Sequence, residues 1–181
     1  MAGADPIVRA DAPASAPGYA APAPAPAPAP GDDVGDAPAG TGPGSAGSDA
    51  AGGGARPARS ALIVFYPFAF SPVCGEELGE LTARHADFAA AGCGLAGISC
   101  DPKFALAAWA RELGAPFPLL SDFWPHGAVA RSYGAFDDAR GMAVRATFLV
   151  AAGRIVASQV LPAGARRDFA PWLESARAVR P

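Results

Sequence analysis

The first 60 residues contain no leucine, phenylalanine, tryptophan or cysteine, and the whole 181-residue chain has no asparagine and a single lysine, Lys103. A segment this poor in large apolar side chains has little to bury against the entropy of ordering its backbone. The same segment holds 11 of the 20 prolines and 11 of the 22 glycines, with an Ala-Pro alternation over 21–30 that favours extended polyproline II. Residues 1–60 are therefore expected to form a disordered tail. An export signal is also missing, because no basic start leads into an unbroken apolar stretch. No apolar run is long enough for a membrane span. Charge is sparse and nearly balanced, 14 basic against 17 acidic residues for a net −3, and Lys and Arg form no cluster that could track phosphates. This argues against a nucleic-acid partner. Three cysteines, an odd number, in a chain with no export signal point to thiol chemistry in a reducing compartment, the cytoplasm, and not to a disulfide scaffold. The cysteines and two histidines show no metal-ligand spacing, so neither a metal nor another cofactor is expected.

Residues 61–181 carry all three cysteines, all three tryptophans and all ten phenylalanines. This is enough for one domain with its own core. The apolar run 61–68 reads as a strand buried on both faces. A helix is expected from Pro72 to about Ala90, with Val73, Leu78, Leu81, His85 and Phe88 at helical spacing and Gly92 and Gly94 ending it. A second buried strand covers 94–100. Asp101-Pro102 then opens a helix through Phe104, Leu106, Trp109 and Leu113, closed by Gly114. Residues 117–120 form a short strand and 125–133 a short helix ended by Gly134. Ala152-Gly153 joins two strands, 146–151 and 154–160, as a hairpin, and 168–179 is a final amphipathic helix. The order predicts an α/β domain: a mainly parallel sheet with an antiparallel edge hairpin and helices on both faces.

One residue stands out from this framework. Cys74 falls just past the first strand, in the first turn of the helix that follows, with Pro67 seven residues earlier and Ser71 three residues earlier. A helix N-terminus offers free N–H groups and the positive end of the peptide dipole, which favours a thiolate. Ligands in such sheets sit beyond the carboxyl ends of the strands.

The motif Pro67-x-x-x-Ser71-x-x-Cys74, with Glu77 one turn on and Arg145 in Ala143-Val-Arg145-Ala-Thr-Phe-Leu-Val, resembles the signature of the peroxiredoxins. Phe65-Tyr-Pro-Phe-Ala-Phe, Pro118-Leu-Leu-Ser-Asp-Phe-Trp-Pro-His-Gly127 and Tyr133-Gly-Ala-Phe-Asp137 are similar to the actinobacterial one-cysteine, AhpE-type members. The resemblance spans 61 to about 179. It implies a thioredoxin-like fold and a thiol-dependent peroxidase that reduces hydrogen peroxide and organic hydroperoxides in antioxidant defence and redox homeostasis. By that resemblance Cys74 is the nucleophile and passes through a sulfenic acid. Arg145 favours the thiolate and holds the peroxide. Ser71 and the backbone N–H groups around Val73 and Cys74 bind the peroxide oxygens. Pro67 shields the sulfur, Glu77 orients Arg145, and Arg167 supports the network. An external reductant is favoured, mycothiol with a mycoredoxin or a thioredoxin-like protein, with Cys100 the candidate if the resolving thiol is internal. A homodimer joined near Trp124 is also implied. The chain departs from the family at its start, where no Ala-Pro-Asp-Phe-x-Leu segment precedes residue 61, so the usual N-terminal hairpin is expected to be missing. Two other readings stay open: a thiol-disulfide oxidoreductase, which lacks the second cysteine of Cys-x-x-Cys, and a non-enzymatic redox sensor.

Overall fold

The computed structural model describes Val8–Arg9 and residues 58–162 and 164–179. In chain order the elements are β1 (Val8–Arg9), β2 (Ser60–Phe65), α1 (Pro72–Ala83), α2 (His85–Ala90), β3 (Cys93–Ser99), α3 (Lys103–Leu113), β4 (Leu119–Ser121), α4 (Ala128–Ser132), β5 (Phe136–Asp137), β6 (Met142–Ala143), β7 (Arg145–Ala151), β8 (Arg154–Leu161) and α5 (Ala170–Ala178). Six strands make one sheet in the order β1-β8-β7-β2-β3-β4. β2, β3 and β4 pair in parallel, while β7 is antiparallel to β2 and β8 to β7, so β8 runs the same way as the parallel three. This is the thioredoxin-like α/β arrangement that the sequence predicts.

The unbroken apolar run of β2 reflects two covered faces. Leu62, Val64 and Tyr66 join a core with Leu78 and Leu81 of α1, Phe88 of α2, Trp109 of α3 and Trp172 of α5. Phe65, with the half-buried Ile63, points the other way, toward Ala130 of α4 and Phe148 of β7. Period-two alternation thus splits one strand between two cores. Half-covered apolar side chains remain on the α4 face, at Ile63, Val144, Val150 and Ile155.

Several expectations are refined. The single helix expected over 72–90 is two, interrupted at Arg84, where the backbone leaves helical geometry (φ −92°, ψ 1°). No Pro or Gly lies between Gly79 and Gly92 to mark that break. The helix expected over 125–133 is shorter because Gly127 adopts a left-handed φ of 68°. A Cβ at Gly127 would overlap the Phe136 ring, so only glycine fits that turn. The Asp122 carboxylate receives the first N–H groups of α4, from Val129 at 3.0 Å and Ala130 at 2.8 Å. The β5–β6 pair has no sequence signal, each strand being two residues long. The Ala/Pro/Gly-rich tail expectation falls largely outside the described residues. Within it, however, Val8 and Arg9 pair antiparallel with Ser158 and Ala157 of β8, which the reading of 1–60 as a tail does not anticipate.

The β7–β8 hairpin turns through Ala152 at φ 48° and Gly153 at φ 72°. A left-handed Cβ costs about 1–2 kcal/mol. Asn tolerates this region better than Ala, so Ala152→Asn is expected to raise the thermal midpoint by a few degrees. An unchanged or lower midpoint in a thermal melt would contradict that strain.

Candidate active site

α1 begins at Pro72, whose missing N–H is harmless in a first turn. Its buried residues are Cys74, Glu77, Leu78 and Leu81, one stripe at spacings of three and four. The sequence pattern alone favours Val73 on the inward face, but Val73 is half-buried and the stripe turns on Cys74. A carboxylate on this stripe must find partners, because an unpaired buried charge is far too costly.

The partners come from the far side of β2. Along β7, Arg145, Thr147 and Leu149 alternate onto one face, and Leu149 belongs to the core that contains Cys74. Arg145 Nη1 donates to Glu77 Oε2 at 2.6 Å, and Arg145 Nη2 donates to Cys74 Sγ at 3.4 Å. Arg167, between β8 and α5, closes the cluster. Its backbone N–H donates to Glu77 Oε1 at 2.9 Å and its Nη1 to Glu77 Oε2. Arg167 Nε donates to Thr147 Oγ1 at 2.9 Å, and Nη2 to the carbonyls of Phe65 and Ala146. Cys74 is wholly buried, as are Glu77 at 1 %, Thr147 at 1 % and Arg167 at 5 % exposure. Burial pulls the Arg167 pKa down, Arg145 adds to that, and Glu77 opposes it.

The remaining sequence candidates fall around this cluster. Pro67 and Ser71 lie half-buried in the loop between β2 and α1, where Ser71 Oγ donates to Phe68 O at 3.2 Å and does not cap the helix. The Glu77 carboxylate, in the position a second redox cysteine would take, is engaged at Oε2 by both guanidiniums and at Oε1 by the Arg167 backbone N–H.

The other two cysteines are elsewhere. Cys93 opens β3 and pairs with Ser60, whereas Cys74 lies past the opposite end of β2. Five residue steps of strand separate those ends, about 17 Å, far beyond disulfide reach. Cys100 lies close to Asp122, Arg131 and the Ala143 backbone, on the α4 side of the sheet, while Cys74 packs with the opposite core. Burial pushes both thiols up in pKa, Cys100 with added help from Asp122. All three cysteines are free. His126 is structural, its Nε2 lying 2.7 Å from Gly141 O with its ring edge-on to Phe136.

Thr147, which accepts from Arg167 Nε, is the member of this cluster that sequence reasoning passed over. A polar residue inside an otherwise apolar strand, two positions after Arg145, is a signal that could have found it. Among the described residues no group of three or more His, Cys, Asp or Glu is placed to hold a metal. Nor is any helix there long and apolar enough to cross a membrane.

Residues 48–159 match the pattern of the AhpC/TSA family. The chain is 39% identical over 127 residues to alkyl hydroperoxide reductase E of Mycobacterium tuberculosis, covering 70% of this chain and 83% of that protein. It is 35% identical over 101 residues to peroxiredoxin 2 of Thermoplasma acidophilum, covering 52% of this chain and 50% of that one. The crystal structure of Enterococcus faecalis AhpC superposes with a TM-score of 0.62 at 32% identity, covering 66% of this chain and 74% of that chain.

Proposed function

The chain belongs to the AhpC/TSA family, and we propose that its reaction, thiol-dependent reduction of a peroxide, runs through Cys74. The observation that carries the assignment is the guanidinium of Arg145 donating to Cys74 Sγ at 3.4 Å. Two guanidiniums share one carboxylate in this buried cluster, so Sγ is the place where a second negative charge completes its balance. The sulfur lone pair attacks one peroxide oxygen. An S–O bond forms as the O–O bond breaks, and the other oxygen leaves as hydroxide or alkoxide and takes up the proton given up by the thiol. Sulfur is oxidised by two electrons and the peroxide reduced by two, giving a sulfenic acid and water or an alcohol. Donors aimed along the breaking bond lower the barrier, a role assigned to Arg145, to the N–H groups around Val73 and Cys74, and to Ser71 once its hydroxyl turns from Phe68 O to the peroxide. Pro67 shields the sulfur. Glu77 orients Arg145, and Arg167 holds Glu77.

The sulfenic acid is then returned to the thiol by two equivalents of an external thiol, which are joined as a disulfide with release of water. Mycothiol with a mycoredoxin is the favoured reductant, and a thioredoxin-like protein the alternative. The separate faces of Cys74 and Cys100 and the distance to Cys93 support the external route over an internal resolving cysteine. A cytoplasmic homodimer completes the reading, with the exposed Phe123 and Trp124, at 51 % and 84 %, as its contact.

Intact mass after one equivalent of peroxide tests this. A gain of one oxygen, mapped to Cys74, is the expected result; loss of two hydrogens would replace the external route by an internal disulfide. In a peroxide-consumption assay with a thiol reductant, Cys93→Ser and Cys100→Ser are expected to turn over within about twofold of the parent rate.

A further inference from the structure

The loop between β2 and α1 carries Pro67 and Ser71 and leads directly into the turn that holds Cys74, joined to α1 by the Gly75 N–H, which donates to Ser71 O at 2.8 Å. Ser71 makes no side-chain cap, and its hydroxyl is spent inside the loop on Phe68 O. Phe70 adopts a left-handed φ of 59°. A bulky residue held there costs about 1–3 kcal/mol, and the conformation persists only where surrounding structure enforces it.

The enforcement comes from the segment after β3. Asp101 Oδ2 accepts the backbone N–H of Ala69 at 2.8 Å, immediately before Phe70. The same oxygen accepts the Ser99 hydroxyl at 2.8 Å, and Ser99 Oγ accepts the Asp101 N–H at 3.3 Å, so the carboxylate is itself oriented. Ser121 Oγ donates to Asp101 O at 2.6 Å and the Asp122 N–H to Ser99 O at 2.8 Å, tying in the end of β4. The Phe70 ring lies 5.8 Å from Trp109, which lies 5.4 Å from Tyr66. Tyr66 in turn packs over Gly97, where a Cβ would meet the Leu119 side chain at 2.8 Å and the Tyr66 ring at 3.1 Å. A carboxylate bond to a loop N–H is charge-assisted and is the directional part of this hold.

We propose that Asp101 is a positioning residue for the peroxidase reaction, fixing loop 67–71 so that its groups meet the peroxide while Cys74 attacks. The inference rests on Cys74 being the nucleophile. Arg145 reaches Sγ from β7 and is braced by Glu77, a path that does not pass through Asp101. Loss of Asp101 therefore disturbs the placement of the oxidant and leaves the sulfur with its guanidinium. Misplacement by an ångström can cost up to about a hundredfold in rate.

The test compares two reactions of the same sulfur in the full chain. For Asp101→Ala the second-order rate of Cys74 oxidation by hydrogen peroxide is expected to fall by about tenfold or more, while alkylation of Cys74 by iodoacetamide does not fall. Asp101→Asn, which keeps an acceptor oxygen for both donors, restores oxidation to within about threefold of the parent. Ser99→Ala, which removes the hydroxyl that orients the carboxylate, gives a smaller loss of the same kind and stands in if Asp101→Ala does not fold. Unchanged oxidation in Asp101→Ala, parallel loss of oxidation and alkylation, or an Asn variant no better than Ala would each overturn the proposal. Failure of the unsubstituted protein to oxidise at Cys74 removes the peroxidase reading and this inference together. Normal oxidation there with no effect of Asp101→Ala removes only the inference.

Discussion

Cys74→Ser protein is expected to leave added peroxide unconsumed, with a rate at least about a thousandfold below the parent. A hydroxyl at this position keeps the size of the side chain and its place beside Arg145, so the fold should melt within about 1 kcal/mol of the parent. What it loses is a polarizable nucleophile able to accept an oxygen atom. The comparison is clean because the other two thiols are remote. Cys93 lies at the opposite end of its strand, and Cys100 is on the α4 side of the sheet. Both are held protonated by burial, which slows them as nucleophiles. Peroxide consumption by Cys74→Ser at a rate near the parent's would move the chemistry to one of them and end the assignment.

The second large effect is on stability. Glu77 is 1 % exposed and receives hydrogen bonds from both Arg145 and Arg167. Glu77→Ala leaves two guanidiniums facing each other in the core with no carboxylate between them. Breaking a buried pair from one side costs about 3–5 kcal/mol. In a domain of this size that lowers the thermal midpoint by roughly 10–20 °C. Glu77→Gln retains one acceptor oxygen and the packing, and is expected to lie between the parent and Ala. A melt in which Glu77→Ala unfolds with the parent would mean that water, and not the carboxylate, satisfies the two arginines.

The sequence made some of this legible and hid the rest for physical reasons. Runs such as Leu62 to Tyr66 and 146–151 show strands because a sheet covered on both faces needs continuous apolar sequence. α3 is legible because Gly114 stops it at a left-handed C-cap, φ 59°. The break at Arg84 is not, since no Pro or Gly marks it in the sequence. Cys74, Glu77 and Arg145 can be read from a linear motif. Asp101 cannot, because its meaning is a bond to Ala69, 32 residues away, made only when β2 and β3 lie side by side. Val8 and Arg9 carry no signal either: a two-residue edge pairing is invisible in a segment otherwise rich in Ala, Pro and Gly.

The contact between Arg145 and Cys74 closes across 71 positions of chain. A polypeptide severed anywhere between α1 and β7 would keep its sulfur on one piece and its cation on the other. With Cys74 and Arg145 acting together as proposed, turnover doubles as a gauge of whether the two halves have docked, and in a nicked preparation it is expected to return only when both fragments are mixed.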